Sequence, residues 1–130
     1  MRRPVLIVID MLNDFLESWA SAPREELIQS TNGLIGLMRQ RGYPLVWIRQ
    51  EFEPDLRDAF REMRAKRIRI TIKGTYGCQI ASELTVAPSD HVIIKKRYSA
   101  FYGTSLDQEL EQLKPDALIL AGINAHAAFA

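Results

Sequence analysis

The run Pro4-Val-Leu-Ile-Val-Ile9 is aliphatic from its second residue to its end and stops on Asp10. A strand tolerates such a run when both of its faces are covered, and sheets covered on both faces are typically parallel. Two later runs behave the same way. His91-Val-Ile-Ile94 closes on Lys95, and Ala117-Leu-Ile-Leu-Ala121 leads into Gly122-Ile-Asn-Ala-His-Ala-Ala128. In open α/β sheets the ligand crevice lies beyond the carboxyl ends of the strands, so three such termini point to one pocket. An acid and a base brought together there tune each other's protonation.

Helical periodicity fills the gaps between these runs, and that alternation predicts βαβ units. Pro23 suits the first turn of a helix, where its missing N–H has no partner to lose. Leu27, Thr31, Leu34, Ile35 and Met38 then share one face, and Gly42 suits the C-terminal cap. Pro44–Arg49 reads as a second strand. Asp55 is expected to cap a helix with Leu56, Ala59, Phe60 and Met63 inward. Ile68, Ile70 and Ile72 alternate with polar residues, so Arg67–Lys73 reads as a half-exposed strand or an extended loop. Thr104 and Asp107 are spaced as a capping box for a helix carrying Leu106, Leu110 and Leu113, which Pro115 ends. With right-handed crossovers the fold class is α/β, a three-layer sandwich around a parallel sheet, with residues 1–130 as a single domain.

Composition excludes several classes. Seventeen basic against sixteen acidic side chains leave a formal charge of +1. No global field draws the chain to nucleic acid or to acidic membranes. No apolar stretch is long enough to span a bilayer. Met1-Arg-Arg-Pro-Val runs straight into the first strand and is not read as a secretion signal. The one cysteine, Cys78, excludes an internal disulfide and fits a cytoplasmic setting. With two histidines far apart, the usual zinc spacings are absent, and neither a metal nor a cofactor is expected.

Four segments together resemble the isochorismatase-like hydrolases: Asp10-Met-Leu-Asn-Asp-Phe15, Lys73-Gly-Thr…Gly77, Lys95-Lys-Arg-Tyr-Ser-Ala-Phe101 and Gly122-Ile-Asn-Ala-His-Ala. The likeness covers nearly the whole chain, in order and at compatible spacing. It is nearest to the amide-cleaving members, which include nicotinamidases and the carbamoylsarcosine and ureidoacrylate amidohydrolases. The resemblance implies the Rossmann-like fold of that family and a Cys-Asp-Lys triad acting on a small-molecule amide or carbamoyl C–N bond. Asp10 takes the thiol proton and returns it to the leaving amine, while Lys95 holds Asp10 and stabilises negative charge. It also implies an oxyanion hole around Ile123, Asn124 and Ala128, using the N–H groups of residues 124 and 128, beside a strained cis peptide near Ile123–Asn124. A homodimer or homotetramer is a further implication.

Two departures stand out. The nucleophile position is Ala128, whose methyl group cannot attack a carbonyl. Either the residue is an introduced substitution that removes the thiol, or the protein belongs to the vinyl-ether-cleaving branch and uses Asp10 without a cysteine, or it is a non-catalytic binding protein of the same fold. Leu12-Asn-Asp-Phe15 and Gly122-Ile-Asn-Ala-His126 speak for the amide-cleaving side. On the first reading the chain binds substrate without turning it over. The family also continues past the position of Ala130. The chain is therefore read as C-terminally truncated, with Ala117–Ala121 an exposed apolar edge unless a partner covers it.

Phe15, Trp19, Tyr98 and Phe101 flank the expected pocket and are candidates to bind substrate. Lys95 and Lys96 must point to opposite faces, and the family register selects Lys95. His91 and His126 read as structural, Trp47 as core, and Cys78 as a small buried side chain. Nicotinamidase-type metal sites place an aspartate and histidines after the second strand, where this chain has Arg49-Gln-Glu-Phe52. The basic cluster Arg61, Arg64, Lys66, Arg67, Arg69 and Lys73 is interleaved with Asp55, Asp58 and Glu62 and reads as a solvated face.

Overall fold

The computed structural model describes residues 3–128, apart from the side chains of His126 and Ala127. Its elements are β1 (Pro4–Ile9), α1 (Asn13–Leu16), α2 (Ser21–Gln40), β2 (Leu45–Gln50), α3 (Arg61–Lys66), β3 (His91–Lys95), α4 (Leu106–Leu113), β4 (Ala117–Gly122) and α5 (Ala125–Ala128). The four strands form one sheet in the order β3-β2-β1-β4, and every pairing is parallel. The α/β sandwich expected from the alternation is the observed architecture.

The aliphatic run of β1 lies in the middle of the sheet, and its side chains alternate between two cores. On one face Leu6 and Val8 pack with Leu45, Trp47 and the inner face of α2, including Ile28, Ile35 and Met38. On the other, Val5, Ile7 and Ile9 pack with Val46, Ile48, Ile93 and Leu106 at the start of α4. Burial of this kind contributes about 1.5–3 kcal/mol per large aliphatic side chain, and it explains why β1 carries no polar residue. Trp47 is core, as expected, and its indole N–H donates to Asp90 at 2.8 Å. Asp90 also takes a salt bridge from Arg39 at 2.8 Å, which ties α2 to the turn before β3. The strand β4 lies at the end of the sheet, with Leu118 and Leu120 exposed.

Several local expectations shift. Asp55 does not open a helix: Leu56 has φ 63°, which no α-helix accommodates, and Asp55 accepts the Arg57 N–H at 3.1 Å instead. The helix starts only at Arg61. Even so, Leu56, Ala59 and Met63 do gather, in a small core with Phe52 and Ile72. The capping box at Thr104 is not formed either. Ser105 is the N-cap, and Thr104 accepts the Leu106 N–H at 3.3 Å. Arg67–Lys73 is an extended loop, bridged at Ile72 to Phe52 just past β2 and accepting the Gln50 side-chain amide on the Thr71 hydroxyl at 3.1 Å. Pro23 and Gly42 fall where expected, in the first turn of α2 and just past its end, with Gly42 at φ 69°.

Candidate functional site

Parallel register brings the predicted termini together. Gln50 at the end of β2 is paired with Lys95 at the end of β3, and Ile9 at the end of β1 with Gly122 at the end of β4. Asp10 turns out of β1 with φ 53°, a left-handed conformation that aspartate adopts more readily than most residues. Its carboxylate is held on both oxygens: Oδ1 accepts the Gln50 N–H at 3.0 Å, and Oδ2 meets Lys95 Nζ at 2.9 Å. Lys95 also donates to the Tyr98 carbonyl at 3.0 Å. Both charged side chains are almost fully buried, 5% and 3% exposed. Lys96 points the other way, to the Glu51 carbonyl and to Asp58.

Burial pushes the Asp10 carboxyl above its ordinary range; Lys95 and the Gln50 N–H pull it back without cancelling that effect. A carboxyl poised in this way is suited to accept and return a proton. It lies at the floor of a cavity of about 530 Å³, a size suited to a small organic ligand. The cavity brings together Asp10, Lys95, Phe15, Tyr98 and Asn124 from the expected set. Trp19, Phe101, Ile123 and Ala128 do not line it. Trp19 is 38% exposed, and Phe101 packs beside the core under α4.

Sequence reasoning missed Gln50 and the upper wall made by Phe60, Met63, Ile68 and Ile70. Gln50 ends a strand just as Asp10 and Lys95 do, so the same strand-terminus argument would have found it. The wall carried no such signal. Phe60 is fixed there by Tyr98, with ring centroids 5.0 Å apart, and by the Arg97 guanidinium, 5.3 Å above its ring. Asp58 anchors the same loop to Lys96 at 2.9 Å.

The turn after β4 differs from the expectation of a cis peptide. Its bonds are trans, and the chain reverses through Gly122 at φ 117° and Asn124 at φ 53°. Gly122 has no alternative residue: a Cβ there would lie 2.2 Å from the Ile9 carbonyl oxygen. The Ala128 N–H, an expected oxyanion donor, bonds the Asn124 carbonyl at 3.2 Å. The Ala128 methyl group is fully buried, and its carbonyl accepts the Ala100 N–H at 2.8 Å. The side chain of His126 lies outside the described residues. His91 pairs with Glu109 at 3.0 Å, a structural role.

Cys78 is buried beside the site, in a short 3₁₀ turn, within reach of the Gln50 carbonyl and the Glu51 carboxylate. Burial, with the Glu51 charge, pushes its thiol up to about 11. A thiol held neutral is a poor nucleophile. Iodoacetamide at mildly alkaline pH should leave Cys78 unmodified in the folded protein and label it in denaturant; fast labelling of the folded form would contradict this. Gly77 next to it is required by Asp14, whose carboxylate accepts the Thr71 N–H at 2.7 Å and would clash with any Cβ at 77. Among the described residues no group of three or more His, Cys, Asp or Glu is arranged to hold a metal ion. No helix there is long and apolar enough to cross a membrane.

The isochorismatase domain model matches residues 4–129. An Arabidopsis thaliana protein named as a probable inactive nicotinamidase is 32% identical over 130 residues, covering 94% of this chain and 66% of its own length. A ureidoacrylate amidohydrolase of Methylorubrum extorquens is 28% identical, over 92% of this chain and 58% of its own. The chain thus spans no more than two thirds of these relatives. Among solved structures, the N-carbamoylsarcosine amidase from Thermoplasma acidophilum superposes with a TM-score of 0.80 at 28% identity, covering 97% of this chain and 73% of that one.

Proposed function

The chain belongs to the isochorismatase family of hydrolases, and we propose that it is an amide- or carbamoyl-binding scaffold of that family that lacks the nucleophile. The observation that carries this reading is the buried Asp10–Lys95 pair, 2.9 Å apart, on the floor of a cavity sized for a small molecule. A proton-transfer pair is costly to bury and contributes little stability in exchange, so its place is best explained by a ligand. In the complete scheme a thiol at position 128 attacks the carbonyl carbon, Asp10 carries the thiol proton to the leaving amine, and the C–N bond breaks. Water then hydrolyses the thioester. Ala128 removes the first step and leaves the pocket. The amide- and carbamoyl-directed names of the relatives point to the same ligand class.

Phe15 and Tyr98 are proposed to hold the ligand, with Trp19 and Phe101 as outer candidates, and Asn124, which lines the cavity, to supply an oxyanion contact; the Ile123 and Ala128 N–H groups donate to the Ile9 and Asn124 carbonyls instead. We place the protein in the cytoplasm as a homodimer or homotetramer, without nucleic-acid or membrane partners. The test is ligand-observed NMR with a panel of small amides and carbamoyl compounds, with ammonia assayed in the same tubes. Saturable binding that Asp10→Asn weakens, with no ammonia above the blank, is expected. Ammonia release by the unaltered chain would reject the inactive reading.

The raised Asp10 carboxyl favours one second reading. A carboxyl whose burial favours its protonated form can donate that proton to a vinyl ether with no covalent intermediate. Cleavage of such a substrate with Ala128 in place, lost in Asp10→Asn, would establish it.

A further inference from the structure

The segment that roofs the cavity over Asp10 has a second side. The same stretch of chain lines another concavity of about 420 Å³, made by Pro54, Asp55, Leu56, Arg64, Arg67 and Arg69. The carboxylates nearby are committed elsewhere. Asp55 pairs with Arg57 at 3.1 Å, Glu62 with Lys66 at 2.9 Å, and Asp58 with Lys96 at 2.9 Å. Glu53 lies between Arg57 and Lys73. What the sequence presents as a neutralised face is therefore sorted in space. Its acids are engaged by other cations, and no carboxylate among the described residues pairs with Arg64, Arg67 or Arg69.

Two of these guanidiniums are oriented by backbone carbonyls: Arg69 donates to Pro54 O at 2.6 Å and Arg64 to Arg57 O at 3.4 Å. Arg67, at the C-cap of α3 with φ 52°, has a guanidinium with no partner among the described residues. Like charges gathered in one concavity repel, and an anion relieves that repulsion. Guanidinium forks match phosphate oxygens in pairs, and a fork already steered by a carbonyl loses less freedom on binding.

We propose that Arg64, Arg67 and Arg69 form a second binding site, separate from the hydrolase cavity, for a small ligand bearing a phosphate or pyrophosphate group. A small ligand fits better than a nucleic acid. The concavity has no aromatic lining on which a base would stack, and the whole chain carries a formal charge of only +1.

The experiment is calorimetric titration at low salt with inorganic phosphate and with pyrophosphate. It uses the unaltered protein, Arg67→Gln, Arg64→Gln and the control Arg61→Gln, whose side chain lines the other cavity. Saturable binding with one ion per chain is expected, weakened roughly tenfold or more in Arg67→Gln and Arg64→Gln and unchanged in Arg61→Gln. Arg64, Arg67 and Arg61 are all exposed, and matching melting curves would show that each variant folds. Three results overturn the proposal: no saturable binding of either anion, equal weakening by Arg61→Gln, or a single-stranded oligonucleotide binding more tightly than pyrophosphate.

Discussion

Ala128→Cys is expected to convert a silent pocket into one that acylates. Purified protein carrying this substitution should gain the mass of an acyl group when mixed with a reactive small amide, and the unaltered chain should not. The expected gain in turnover is on the order of 10⁴-fold or more, judged from what removal of the nucleophile costs in covalent hydrolases. Position 128 is fully buried and does not itself line the cavity, but it lies one turn of α5 from Asn124, which does, and one added sulfur atom there is a small volume change. Asp10 already has a raised proton affinity and is held by Lys95, the arrangement that a thiol needs in order to ionise. Cys78 supplies a clean background because its thiol is buried and held neutral. An unmodified variant, with its new thiol open to alkylation and its melting curve intact, would reject the amidase scaffold. The weight would then pass to vinyl-ether chemistry or to binding alone.

The floor of the site was legible in the sequence and its roof was not, for a physical reason. Asp10 and Lys95 follow strands, where alternation fixes the side of the sheet each faces and parallel register fixes their depth. Those constraints are local. The roof depends on contacts between remote residues: Lys96 to Asp58, Arg97 over Phe60, and Asp14 to the Thr71 N–H. No periodicity announces them. The helix expected after Asp55 shows how such contacts win. The spacing of Leu56, Ala59 and Met63 is helical, but the Glu53 N–H donates to Asp58 at 2.9 Å, Leu56 turns left-handed, and the same three residues build a small core from a loop and the short helix α3 that follows it. The need for glycine at 122 likewise follows from how closely β4 approaches the Ile9 carbonyl, which no one-dimensional pattern records.

Lys95→Met should separate the role of the buried pair in function from its role in stability. Removing the cation leaves the Asp10 carboxylate buried with only the Gln50 N–H to hold it. Breaking a buried pair from one side costs about 3–5 kcal/mol at neutral pH. The cost should depend on pH in a defined direction. The Asp10 carboxyl is raised above 3.8 in the folded chain, mainly by burial. Its contribution to stability is therefore fully present below the unfolded value and is lost as pH rises through the folded one. Without Lys95 the folded value climbs further, so protonation rescues the variant over a wider range. The gap between variant and parent should narrow as pH falls from neutrality toward the unfolded carboxylate value. At still lower pH both proteins should weaken together. Asp90 and Asp58 are the reason: burial opposes their ionisation, but the Arg39, Trp47 and Ala87 bonds to Asp90, and the Glu53 N–H and Lys96 on Asp58, hold both carboxyls below 3.8. The stability they contribute is fully present above the unfolded value and is lost as pH falls through their lower folded values. Urea unfolding across this range provides the test, with Asp10→Asn/Lys95→Met closing a double-mutant cycle. A deficit independent of pH, or a double variant as unstable as the sum of the singles, would mean that the pair does not act as one electrostatic unit. A double variant near parental stability would leave the ligand, rather than the fold, as the reason these charges lie beneath the cavity.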